Sequence, residues 1–129
     1  MADSPLTDAE LRHFEALLRR ERVIGQAELV RQGAALDEVR GARGDAAADD
    51  EHDPDGPTLS TEWSRLSGVR RELLQGIEAV DQALERIADG SYGVCLRRGE
   101  PIGRARLEAR PAAALCIDCA RELETGRRD

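Results

Sequence analysis

Two long stretches of the chain place apolar residues at three- and four-residue steps, the spacing of one face of an α-helix. In the first, Leu11, Phe14, Leu17, Leu18, Ile24, Ala27, Val30 and Ala34 alternate with arginines and glutamates. It opens on Thr7-Asp8-Ala9-Glu10, a capping box in which the Thr7 hydroxyl accepts from the Glu10 amide while the Glu10 side chain reaches back. The spacing predicts a helix from there to about Val39, weakened by Gly25 and Gly33 and ended by Gly41 and Gly44. The second stretch should begin near Thr58 or Ser60, with Glu62 placed to favour the positive end of the helix dipole. Its apolar positions form a heptad: Trp63, Arg70, Ile77 and Leu84 in one register, Leu66, Leu73, Val80 and Ile87 in the other, with Arg70 the exception. Such a seam needs a partner helix. The first helix is the simplest partner, giving an antiparallel hairpin about 45 Å long if roughly 30 residues rise about 1.5 Å each. A homodimeric coiled coil would satisfy the same seam.

Asp89-Gly90 stops the second helix. From Ser91 to Leu115 the chain is punctuated by Gly and Pro and has only Val94, Ile102 and Leu107 as short apolar pieces, so something other than a large core must fold it. A short helix is expected from Cys116 to about Thr125, stopped by Gly126. The pattern therefore predicts a mainly α protein. Residues 1–90 form an antiparallel coiled-coil hairpin with a tip loop at about 41–58, and 91–129 form a compact cysteine knuckle with a C-terminal helix.

Composition narrows the function. Aromatics are 2% of the 129 residues, which suits thin helical packing better than a thick core. A net charge of -7 argues against free nucleic acid as the partner, since phosphate backbones demand a basic face. All 19 basic residues are Arg, which excludes a Schiff-base lysine, a phosphate-loop lysine and a Ser-Lys dyad. His13 and His52 stand apart, and no nucleophile-base grouping is present, so no enzymatic activity is expected. The opening MADSPLTDAE resembles neither a signal nor a transit peptide, and no apolar run is long enough to span a bilayer. A cytoplasmic protein is expected, in which cysteines serve a metal, a redox couple or packing. The segment 41–58 carries Asp45, Asp49, Asp50, Glu51, Asp53 and Asp55 against the single base Arg43, a dense anionic tip.

The candidate chemistry lies in Cys95, Cys116 and Cys119. If Arg98 were a cysteine, they would form C-x2-C-x17-C-x2-C, within the range of a four-thiolate zinc site. Three readings stay open. Zinc could be held by three thiolates with a fourth ligand from water or a carboxylate such as Glu100 or Asp118. The Arg98 guanidinium could instead stand in for the cation. Cys116 and Cys119 could also cycle as a redox pair, their thiol acidity raised at a helix N-terminus. His13 and His52 are placed away from the knuckle and are poor ligand candidates.

In order along the chain, ALERI at 83–87, GSYGVC at 90–95, RLEARP at 106–111 and CIDC at 116–119 resemble the zinc-knuckle region of the DksA/TraR family, regulators that bind bacterial RNA polymerase. The resemblance implies a coiled coil that enters the polymerase secondary channel and presents tip aspartates near the catalytic centre. The family's tip pattern is D-x-x-D-x-A. At the family interval from Cys95, its second aspartate falls on Asp55, its first on His52 with Asp53 beside it, and its alanine on Pro57. Asp53 and Asp55 are thus the expected polymerase-modulating residues. Positions matching the basic residues of the family's ppGpp site are Glu72, Ala79 and Ala120, so that site is not carried over.

Overall fold

The computed structural model describes the backbone of residues 5–49 and 56–128 and the side chains of 5–42 and 59–126. Its elements are α1 (Asp8–Asp49), α2 (Gly56–Asp89), α3 (Arg104–Ala109) and α4 (Ile117–Arg128), with an isolated antiparallel bridge between Val94 and Pro101. No helix of the described residues is long and apolar enough to cross a membrane. The chain divides into two compact units, one of Met1–Arg22 with Glu78–Asp129 and one of Val23–Ile77. The expected division at residue 90 is therefore displaced, because the start of α1 and the end of α2 pack with the knuckle.

Within Val23–Ile77, α1 and α2 run antiparallel. A Cβ at Gly25 would lie 3.1 Å from Ile77 Cγ1 and one at Gly33 would lie 3.7 Å from Arg70 Nη1, while the Arg40 guanidinium stands 5.4 Å from the Trp63 ring centroid. Two turns forward on α1 thus match two turns back on α2. The α2 seam is as expected: Trp63, Arg70, Leu73 and Ile77 are half-buried and Leu66 is buried. The α1 face is not. Gly25, Leu29, Gln32, Leu36 and Val39 face inward, whereas Ile24 and Val30 are 58% and 74% exposed and Ala27 and Ala34 are exposed too. Two of the true seam positions are Gly and Gln, which an apolar count passes over. Gly25 is small because Ile77 packs against its backbone.

The helix ends also differ from expectation. α1 runs through Gly41 and Gly44 to Asp49, so most of the expected tip loop is helical. A single helical Gly costs only about 1 kcal/mol relative to Ala, and Ala46-Ala47-Ala48 follows at once. α2 starts at Gly56, with Pro57 in the first turn, where its missing N–H is no loss. Glu62 then falls in the second turn, and its carboxylate accepts from Arg65 at 2.6 Å rather than serving the helix end.

The other unit holds the core. Phe14 and Leu18 of α1, Val80 and Ala83 of α2, and Tyr92, Cys95, Ile102, Leu107 and Cys119 form one buried cluster. The capping box forms as expected, the Glu10 amide donating to Thr7 Oγ1 at 3.1 Å and the Thr7 amide to Glu10 Oε1 at 2.9 Å. α2 ends on Gly90 at φ 84°, and the Ser91 amide donates back to the Arg86 carbonyl at 2.9 Å, the six-to-one bond of a Schellman stop. α3 lies inside the stretch read as irregular and delivers Leu107 to the core. α4 continues through Gly126 to Arg128, three residues beyond the expected end.

Two substitutions test this packing by urea unfolding. Gln32 Oε1 is buried without a hydrogen-bond partner, so Gln32→Leu should stabilise the protein by about 1 kcal/mol. Gly93 sits at φ 89° with Leu6 Cδ1 3.1 Å from where a Cβ would stand, and Gly93→Ala should destabilise by roughly 2 kcal/mol.

Candidate functional site

The cysteines are brought together by a turn and a helix start. The Cys95 amide donates to the Glu100 carbonyl and the Gly99 amide to the Cys95 carbonyl, both at 2.8 Å, so residues 95–99 curl back on Cys95. The curl points the Arg97 and Arg98 amides at the Cys95 sulfur. The Leu96 amide donates to the Ala114 carbonyl at 3.0 Å, which ties the turn to the segment entering α4. Cys116 stands at the start of α4, its carbonyl accepting from the Ala120 amide at 3.0 Å, and Cys119 lies in the first turn. Beneath them the Tyr92 hydroxyl, fully buried, donates to the Pro111 carbonyl at 2.7 Å.

The three sulfurs lie within 4.8 Å of one another, and those of Cys95 and Cys119 are 3.7 Å apart. Zinc–thiolate bonds of about 2.3 Å at tetrahedral angles set sulfur–sulfur edges of about 3.8 Å. Cys95, Cys116 and Cys119 thus fit three corners of a zinc site, and they would hold the ion while it supplies the cross-link that a small core lacks. Among the described residues no carboxylate or histidine joins the cluster.

Burial raises the pKa of the Cys95 thiol, but amides of Cys116, Arg98 and Arg97 and the Cys119 thiol all donate to its sulfur and bring it down to about 6. Cys119 is pushed up to about 11, by burial and by its contacts with Cys116 and Cys95. Without metal, one negative charge settles on Cys95 and Cys119 keeps its proton.

Arg98 does not enter the cluster. Its guanidinium is 42% exposed and pairs with Glu122 at 3.0 Å and Asp118 at 3.8 Å on α4. Cys119, whenever it is ionised, and the Glu122 carboxylate hold it the more firmly protonated. Of the two carboxylates suggested as a fourth ligand, Asp118 faces Arg98 and Glu100 is exposed in the turn. Cys116 and Cys119 do not stand as an isolated pair, since Cys95 shares their cluster. His13, placed far from the knuckle by sequence, in fact meets it: its Nε2 lies 2.8 Å from both Glu108 oxygens, away from the sulfurs. Asp53 and Asp55 fall outside the described residues. Sequence reasoning does not assign the Tyr92 hydroxyl, although Tyr92 lies in the GSYGVC segment, nor the amides of Arg97, Arg98 and Cys116 that reach Cys95.

Residues 90–124 match the prokaryotic dksA/traR C4-type zinc finger. The RNA polymerase-binding transcription factor DksA of Caulobacter vibrioides is 52% identical over 52 residues, which cover 40% of this chain and 37% of that protein. The Escherichia coli K12 protein of the same name is 31% identical over 114 residues, covering 88% of this chain and 71% of its own length. The chain belongs to the DksA/TraR family. The structure of transcription factor DksA2 from Pseudomonas aeruginosa superposes with a TM-score of 0.76 at 29% identity, over 95% of this chain and 88% of that one. The match to the Caulobacter relative spans little more than a third of that protein's length. The family's finger is of C4 type, and here Arg98 stands where the second of four cysteines would fall.

The cluster's titration can be read in unfolding. Cys95 is more acidic folded than its ordinary value near 9, so its contribution is complete above about 9 and is lost as pH falls toward about 6. Metal-free protein in a chelating buffer should be more stable at pH 8.5 than at pH 6, each pH being about as the shift of Cys95 sets it. Cys95→Ser should flatten that slope. Tyr92→Phe, which strands the buried Pro111 carbonyl, should cost about 1 to 3 kcal/mol in the same assay.

Proposed function

We propose that this chain regulates transcription by binding bacterial RNA polymerase directly, through the secondary channel, with Asp53 and Asp55 acting near the catalytic centre. The observation that carries the reading is the 31% identity to the E. coli RNA polymerase-binding transcription factor across 88% of the chain. The segment between α1 and α2 supports it, since Asp50, Glu51, Asp53 and Asp55 place four carboxylates within six residues. A narrow pair of helices can carry such a cluster to a bound Mg2+ or its ligands, where added carboxylates alter the field and the coordination of the ion. The protein acts without catalysing a reaction and without reading DNA sequence, as its net charge of -7 favours a basic or metal-bearing surface over phosphate. Its setting is the cytoplasm.

The alarmone ppGpp has no full site in this reading, because Glu72, Ala79 and Ala120 offer no cation at the matching positions. Family membership favours polymerase binding over a Cys116/Cys119 redox module or a structural coiled-coil dimer.

Purified polymerase should retain the protein in a pull-down. Charge reversal at Asp53 and Asp55 should leave that retention intact and abolish the change in transcript yield from a reconstituted promoter. Lack of retention, together with unchanged transcription by the reversed variant, would overturn the proposal.

A further inference from the structure

Three corners of the tetrahedron are filled by this chain, and the fourth has no donor of its own among the described residues. The acids on that side are engaged. Asp118 faces Arg98 at 3.8 Å, and Glu122 holds Arg97 at 3.2 Å and Arg98 at 3.0 Å. Arg98 cannot supply the donor itself, because a guanidinium stays protonated and has no lone pair to offer. Solvent reaches the cluster on the Cys116 side: Cys95 and Cys119 are each 1% exposed, whereas Cys116 is half-buried.

The chemistry of the missing donor follows from the three present. Zinc in a structural site takes four ligands, and soft thiolates suit a centre already held by sulfur. Three thiolates and a divalent ion leave one net negative charge, which a further anion would raise. A cation stands at the edge to offset it. Arg98 is fixed there by carboxylates one residue before and three residues after Cys119 on α4.

We infer that Cys95, Cys116 and Cys119 bind zinc with an exchangeable fourth position, and that this position takes a small exogenous thiolate which enters beside Arg98. On binding, the thiol sulfur forms a bond to the metal and its proton passes to solvent. No electron changes hands. The site thereby becomes a receptor for low-molecular-weight thiols, a property that a finger closed by four of its own cysteines does not have. The inference is independent of polymerase binding.

Cobalt substitution reads the number of sulfur donors directly. Metal-free full-length protein is loaded with one equivalent of Co2+ and titrated with 2-mercaptoethanol, with ethylene glycol as the oxygen-only control. The sulfur-to-metal absorption should rise by about one third as a fourth thiolate adds to three, and saturate, while the glycol changes nothing. Arg98→Cys should bind Co2+ with the full absorption from the outset and show no response to the thiol. Native mass spectrometry of the zinc-loaded wild-type chain should carry one thiol adduct that leaves with the metal on chelation. Uptake of metal by Arg98→Cys but not by the wild-type chain would overturn the inference, as would a wild-type cobalt spectrum that the thiol leaves unchanged.

Discussion

Cys95 and Cys119 are held 3.7 Å apart inside the same apolar cluster as Phe14, Leu18, Tyr92 and Leu107, and the surrounding chain is shaped by what that enclosure demands. Two thiolates cannot both be charged at such a distance in a poorly solvated interior without a cation to offset them. Amides from Arg97, Arg98 and Cys116 converge on Cys95 and supply part of that offset. They stabilise one negative charge, and the second sulfur retains its proton. A metal would remove the conflict by taking all three sulfurs as anions, so ion binding would add to the stability of the folded knuckle. The turn at 95–99 and the start of α4 are therefore parts of a charge-handling device as much as of a fold.

The same enclosure explains why the knuckle is not a separate domain. The short apolar pieces at Val94, Ile102 and Leu107 bury too little surface to hold a chain in place. Phe14 and Leu18 from α1 and Val80 and Ala83 from α2 complete the cluster. Phe14 lies 5.9 Å from Tyr92, centroid to centroid, so two of the few aromatics in the chain meet where the helices join the knuckle. Away from that core, in Val23–Ile77, the helices depend on Leu29, Leu36, Leu66 and Leu73 and on close approach at Gly25. The exposed ion pairs along them contribute little individually. Continuous backbone hydrogen bonding and the shared seam hold that unit together.

The α2 seam was legible because its apolar residues are large and keep a strict heptad, with Arg70 at the one break. The α1 seam was not, for a physical reason: an inward position can be filled by Gly where the partner side chain is bulky, and by Gln where the face is only half-buried. Ile24 and Val30 then imitate a core stripe while facing outward. The tip is shorter than Gly41 and Gly44 suggest, because a helix already several turns long tolerates isolated glycines. The cysteine site was visible from spacing alone. What spacing could not give was the position of Arg98, because whether a guanidinium enters a cluster or lies across its rim depends on carboxylates that reach it from another element, here Asp118 and Glu122.

Arginine at position 98 differs in kind from other replacements of a metal-binding cysteine. A histidine or an aspartate there would still coordinate, and a lysine could do so once deprotonated. Arginine cannot ligate at any pH that leaves the protein folded, and it carries a permanent positive charge. Exchanging a thiolate for it moves the formal charge of a zinc-loaded site by two, from minus two for four thiolates to zero for three with the guanidinium counted. The replacement thus opens a coordination position and prepares it electrostatically for an anion. Glu122 and Asp118 keep the guanidinium at the rim, where it attracts such a donor without blocking the sulfurs. A neutral residue at the same position would leave the gap but not the attraction.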